Sequence, residues 1–138
     1  MKILYILSCP DIFGGTARKT LNIIKNSDKN SIVYFYSEKF NENVRFFENE
    51  GVITHRGYFG RNIYRHVNKL IQIIDKNNID IVQTQFSMGT ILGNFIKLFR
   101  PQIKLILTFE GSSKPNILKS LLVKCAYKKS DAIVYISK

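Results

Sequence analysis

Gly14 and Gly15 stand together between an apolar run that ends at Leu7 and an amphipathic stretch that begins at Thr16. Without a Cβ, glycine lets backbone N–H groups and the start of a following helix come close to an anion. A diphosphate is the natural guest of such a pair; the plain alternative is a glycine that only permits the turn. The spacing is neither GxGxxG nor GxxxxGK[ST], which removes the main support for a NAD enzyme or a P-loop NTPase. Glu38, after the second apolar run, stands where a ribose-binding acid can, but a residue in that place is more often a solvated loop residue.

Gln83 and Gln85 flank Thr84, and strand alternation sends both to one side, where uncharged donors and acceptors suit sugar or phosphate hydroxyls. Two polar residues at a strand end are the competing account. Glu110, followed by Gly111 and Ser112, is one of few acids in the C-terminal third and can accept a hydrogen bond from a hydroxyl or act as a base. An ion pair to Lys114 or a place at a helix N-terminus explains it as well. Arg61, Arg65 and Lys69 recur four apart beside Tyr58, Phe59 and Tyr64, a basic and aromatic patch suited to an anionic membrane face or simply to water.

Other chemistries lack their residues. His55 and His66 have no partnering pattern, and no Ser/His/Asp, Cys/His or HExxH arrangement occurs. Cys9 and Cys125 are the only cysteines, without CxxC or metal-ligand spacing, so no metal is expected and a reducing, cytosolic setting fits.

These residues need a scaffold, and the hydropathy pattern supplies one. Lys2 to Leu7 is a near-continuous apolar run, the mark of a central strand covered on both faces of a parallel sheet. A helix follows from Thr16 to about Asn26–Lys29. The unit then recurs: strands at Ile32–Ser37, Val52–Thr54, Ile79–Thr84, Ile103–Thr108 and Ala132–Ile136, with helices at Asn41–Glu50, Arg61–Lys76, Ser87–Phe99 and Pro115–Lys128. Repeated βα units predict a Rossmann-like three-layer α/β/α sandwich with a mainly parallel sheet of about six strands and right-handed crossovers. Ligands of such sheets sit outside the carboxyl ends of the strands, which selects Ser8–Gly15, Gln83–Ser87, Thr108–Lys114 and the region after Ser137.

The 138 residues, 45% hydrophobic, suit one folded domain. No apolar run approaches the ~20 residues of a spanning helix, and Met1–Leu7 leads into Ser8-Cys9-Pro10-Asp11 as a first core strand does, not as a signal peptide does. The formal charge is +11, and Lys97 to Lys138 carries nine Lys/Arg against Glu110 and Asp131. Such a field attracts phosphates, anionic lipid or nucleic acid, or merely solubilises the surface. No RNP, KH, zinc-finger or helix-turn-helix pattern accompanies it, so nucleic acid is not expected as a partner.

Four segments in order complete the pattern: Met1-Lys2-Ile3-Leu4-Tyr5-Ile6 with Gly14-Gly15-Thr16-Ala17-Arg18; Asp80-Ile81-Val82-Gln83-Thr84-Gln85; Leu107-Thr108-Phe109-Glu110-Gly111-Ser112; and Ser130-Asp131-Ala132-Ile133-Val134-Tyr135-Ile136-Ser137. Together they resemble the N-terminal domain of GT-B glycosyltransferases, specifically glycosyltransferase family 4. The resemblance implies transfer of a sugar from a nucleotide-sugar to a cell-surface polysaccharide or lipid-linked glycan, usually with retention and without a metal or other cofactor. Gly14 and Gly15 would approach the donor diphosphate; Arg18, Gln83, Gln85, Glu110, Gly111 and Ser112 would face the acceptor. The sequence departs from the family where Gln83 and Gln85 replace a common His-x-His, and where Glu110-Gly111 replaces His-Gly, leaving Glu110 a catalytic residue by position only. The family's donor-binding domain has no counterpart in these 138 residues. The expected partners are therefore that C-terminal domain or a separate subunit, with the isolated chain inactive, in the cytoplasm or peripheral at the inner face of the membrane. A non-catalytic module for an anionic ligand, and a basic membrane- or nucleic-acid-binding domain, are the alternatives.

Overall fold

The computed structural model describes residues 1–27, 30–109 and 117–135. Its order is β1 (Ile3–Leu7), α1 (Gly15–Asn26), β2 (Ser31–Phe35), a 3₁₀ turn (Asn41–Asn43) running into α2 (Val44–Glu48), β3 (Ile53–Arg56), α3 (Ile63–Asn77), β4 (Ile81–Gln85), α4 (Phe86–Phe99), β5 (Lys104–Phe109), α5 (Ile117–Lys129) and β6 (Ala132–Tyr135). Six strands form one sheet in the order β3-β2-β1-β4-β5-β6, and every pair is parallel. This is the order of the doubly wound dinucleotide-binding folds, with its switch point between β1 and β4. The expected three-layer Rossmann-like architecture is therefore present, and β1 is central as its unbroken apolar run required.

The two faces of the sheet are filled separately because strand side chains alternate. Tyr5, Leu7, Val33 and Phe35 pack on one side with Ala17, Leu21 and Ile24 of α1 and Val44 and Phe47 of α2. Leu4, Ile6, Ile32, Tyr34, Val82, Leu105 and Leu107 face the other side, against Val67, Leu70 and Ile74 of α3, Leu92 and Ile96 of α4, and Ala126 of α5. Among the described residues the α1-side core draws on no residue of β4, β5 or β6, and Val134 of β6 is 43% exposed.

Most boundaries shift by one or two residues from the sequence expectation, and three differences have identifiable consequences. The expected helix at Arg61–Lys76 starts at Ile63, because Asn62 caps it by accepting a hydrogen bond from the Arg65 N–H at 3.1 Å. Arg61 therefore lies in the preceding turn and not on the helical stripe with Arg65 and Lys69. The Asn41–Glu50 helix is split into a 3₁₀ turn and five α residues. The helix expected from Ser87 begins directly at Phe86 with no intervening loop, so β4 delivers Gln85 straight into a helix N-terminus.

Close approach of α4 to the sheet depends on Gly93. A Cβ there would lie 2.8 Å from Leu105 Cδ1 and 2.9 Å from Thr84 Cγ2, both on fully enclosed side chains. Overpacking of this kind costs ~1–3 kcal/mol, more than the ~0.5–1 kcal/mol that alanine gains over glycine in a helix. Gly93→Ala is expected to lower the denaturation midpoint with unchanged m-value; an unchanged or raised midpoint would show that α4 shifts without cost.

Candidate functional site

At the switch point, β1 and β4 send their following segments to opposite faces of the sheet. Residues 8–14 form the loop there, and Gly14 is the N-cap of α1, with no side-chain cap and no acid in the first turn. The loop is shaped by a residue that motif reading passed over. Asp11 Oδ1 accepts the N–H groups of Phe13 at 3.2 Å and Gly14 at 3.0 Å, and the Asp11 carbonyl also accepts from Gly14 at 3.1 Å. This is an Asx-type turn, and its signal was an aspartate three residues before a glycine.

The two glycines consequently have different duties. A Cβ on Gly14 would sit 2.7 Å from Asp11 Oδ2, so Gly14 is required for the turn itself. A Cβ on Gly15 would meet nothing within 4 Å. Gly15, in the first turn of α1, is thus where the loop leaves room for something else, and the uncompensated amides of a helix N-terminus favour an anion there. Around it lies a cavity of about 320 Å³ lined by Ser8, Cys9, Asp11, Gly14, Gly15 and Tyr36 among others. This is near the lower end of the ~300–1,000 Å³ of small-molecule pockets. Tyr36 closes one side; burial pushes its phenol up to about 12, opposed by the nearby Ser8 side chain, so it stays neutral.

Gln83 and Gln85 do point to the same side, as alternation required, but each amide has a neighbour inside the protein. Gln83 Nε2 donates to Thr108 Oγ1 at 2.9 Å, and Gln85 Nε2 donates to Thr20 Oγ1 of α1 at 3.1 Å. Gln85 is only 4% exposed, and its Oε1 has no hydrogen-bond partner among the described residues. Arg18 is exposed on α1. Glu110, Gly111 and Ser112 lie outside the described residues.

The basic stripe is dispersed. Lys69 donates to the Arg56 carbonyl at 2.8 Å and lies 5.9 Å from the Phe59 ring centre, so it braces the loop before α3. Arg65 is exposed, and Arg61 lines a second cavity beside Tyr36. Among the described residues no group of three or more His, Cys, Asp or Glu is placed to hold a metal, and no helix is long and apolar enough to cross a membrane. Cys9 and Cys125 are unpaired.

His66, without any sequence pattern, turns out to hold the loop beside this second cavity. It is fully buried on α3, with Nδ1 2.7 Å from the Tyr34 hydroxyl and Nε2 2.9 Å from the Gly60 carbonyl. The Gly60 oxygen can only accept, so Nε2 carries the proton and Tyr34 donates to Nδ1. Burial pushes the Tyr34 phenol well above its ordinary range, keeping it a donor. Burial also lowers His66 below its ordinary value, opposed by the bond to Gly60, and lowers His55, assisted by Lys69 and Lys76. The unfolded chain therefore binds more protons below about pH 6.5, so stability is present above that value and is lost as pH falls through the folded pKa values. Tm is expected to fall on the acid side of pH 6.5. His66→Gln should flatten that limb while lowering Tm at pH 8; an unchanged acid limb would assign the effect elsewhere.

No protein-family model matches the sequence, and no curated protein matches it. Solved structures do match in fold. Anabaena Alr3699/HepE in complex with UDP and glucose superposes with a TM-score of 0.75 at 15% identity, over 96% of this chain and 37% of that one. A glycosyltransferase from Rickettsia africae ESF-5 gives 0.74 at 21% identity, over 99% of this chain and 36% of that one. The fold matches the GT-B-type Rossmann-like unit that the chain covers in these proteins. UDP-GlcNAc 2-epimerase from Methanocaldococcus jannaschii gives 0.69 at 14% identity, over 99% and 40%. The chain thus spans well under half the length of these proteins. In this fold the glycine-loop cavity and the Arg61 cavity share Tyr36, which lines both.

Proposed function

We propose that this chain is the acceptor-side domain of a nucleotide-sugar glycosyltransferase, with Gly15 and the α1 N-terminus forming one wall of the donor diphosphate site. The observation that carries the reading is the cavity at the carboxyl ends of β1 and β2, open at Gly15 and of a size for part of a nucleotide-sugar. The presence of UDP and glucose in HepE, whose fold this chain shares, supports it. The remainder of the donor site, on this reading, belongs to a donor-binding domain in a longer chain or a separate subunit, and the acceptor is a cell-surface polysaccharide or a lipid-linked glycan. Transfer proceeds with retention and without metal, at the cytoplasmic face of a membrane to which the excess of basic residues is drawn.

The test is to combine the chain with its donor-binding domain, supply a panel of UDP-, GDP- and dTDP-sugars with polysaccharide and lipid-linked acceptors, and follow glycosylated product. Sugar transfer that requires both parts is the expected result. Conversion of UDP-GlcNAc to its 2-epimer without any acceptor would instead favour the chemistry of the epimerase, and inactivity across the panel would sink the transferase reading.

A further inference from the structure

The second cavity, about 620 Å³, opens at the same carboxyl edge as the glycine loop. Its wall is mostly apolar, from Ile63, Met88, Ile91 and Leu122, with Arg61 and Glu38 among its polar residues. Ile91 is 4% exposed and belongs to the body of α4, so the floor is preformed. Gly60, at a φ of +55°, turns the chain so that Arg61 reaches the cavity, and His66 holds that turn through the Gly60 carbonyl. Among the described residues neither Arg61 nor Arg65 is in an ion pair.

An apolar chamber with an unpaired guanidinium is complementary to a molecule with an apolar tail and an anionic head. Tyr36 joins this chamber to the glycine-loop cavity. A tail among Ile63, Met88 and Ile91 with its anion on Arg61 would leave the rest of the head beside Tyr36, at the donor cavity. We infer that the cavity binds the lipid part of an amphipathic acceptor, a single hydrocarbon chain carrying a phosphate, with Arg61 as the headgroup contact. This rests on the transferase reading and chooses between its two acceptor classes. Glu38 on the same wall is suited to accept a hydrogen bond from a hydroxyl of the head.

The chain's two methionines give a direct readout, since Met88 lines the cavity and Met1, 76% exposed, precedes β1 and lines no part of it. With methyl-labelled methionine, decyl phosphate below its micelle concentration should shift the Met88 signal saturably and leave Met1 unmoved. Octyl phosphate should bind on the order of 10-fold more weakly, for two fewer buried methylenes. Arg61→Gln should weaken decyl phosphate on the order of 10-fold and leave decanol unchanged, and Ile63→Trp, which fills the chamber, should abolish the Met88 shift. Arg61 lies on the surface, so its variant keeps the test valid if Ile63→Trp misfolds. Inorganic phosphate binding as tightly as decyl phosphate, decanol binding as tightly as decyl phosphate, or a Met88 shift that neither variant alters would each overturn the inference. Binding requires no donor, so the two readings fail separately. Transfer to purely polar acceptors without decyl phosphate binding removes the lipid site alone, and binding without transfer on any acceptor removes the transferase alone.

Discussion

A Gly57→Ala chain is expected to lose about 3 kcal/mol of stability or more, seen as a Tm drop on the order of 10 °C. Gly57 is buried after β3, and a Cβ there would lie 1.6 Å from the Tyr34 hydroxyl oxygen and 2.3 Å from its Cζ. No small adjustment removes such an overlap. The Tyr34 ring is fully enclosed in β2, and its hydroxyl is fixed on His66. Displacing it disrupts packing and leaves Nδ1 of a buried histidine without its donor, at ~1–3 kcal/mol for that loss alone. Tyr34→Phe should not rescue the variant, since Cζ would still collide. Tyr34→Leu should make the alanine nearly neutral in a double-mutant cycle. Equal costs in both backgrounds would show that Gly57 matters for some reason other than Tyr34.

Gly15→Glu should separate function from folding most sharply. The position is open, its φ lies outside the left-handed region, and a carboxylate in the first turn of a helix is worth ~0.3–1 kcal/mol. Stability should therefore hold or rise slightly. The same carboxylate would stand where the donor diphosphate is proposed to approach, in a loop that already carries Asp11. Transfer by the chain with its donor-binding domain should fall at least ~100-fold, a loss of ~2.7 kcal/mol of binding or transition-state stabilisation. A fully active Gly15→Glu protein would remove the glycine loop from the donor site. Gly14→Ala is no substitute experiment, because it distorts the Asp11 turn and confounds the two effects.

The contrast between these glycines shows how much of the protein was legible in one dimension. The apolar run at Leu4–Leu7 had to be a central parallel strand, since only a strand covered on both faces tolerates such a run. The repeating βα pattern then left few topologies, and the carboxyl edge as the ligand side followed from handedness alone. Gly14-Gly15 marked the loop, but nothing in the pair revealed that Gly14 serves Asp11 while Gly15 is open. Gln83 and Gln85 were placed on one side by alternation, yet their partners Thr108 and Thr20 are 25 and 65 residues away. The tie from Tyr34 to His66 spans 32 residues, and the second cavity is assembled from loops and helices between Tyr36 and Leu122.

Sequence by itself determined the secondary elements, the parallel sheet and the edge at which a ligand belongs, because periodicity and chirality act locally along the chain. The tertiary structure alone decided which polar groups are consumed inside the protein and which face a cavity. That outcome depends on what distant segments bring to each atom. For the glycine pair it means that Gly15, not Gly14, is the residue with room for a guest.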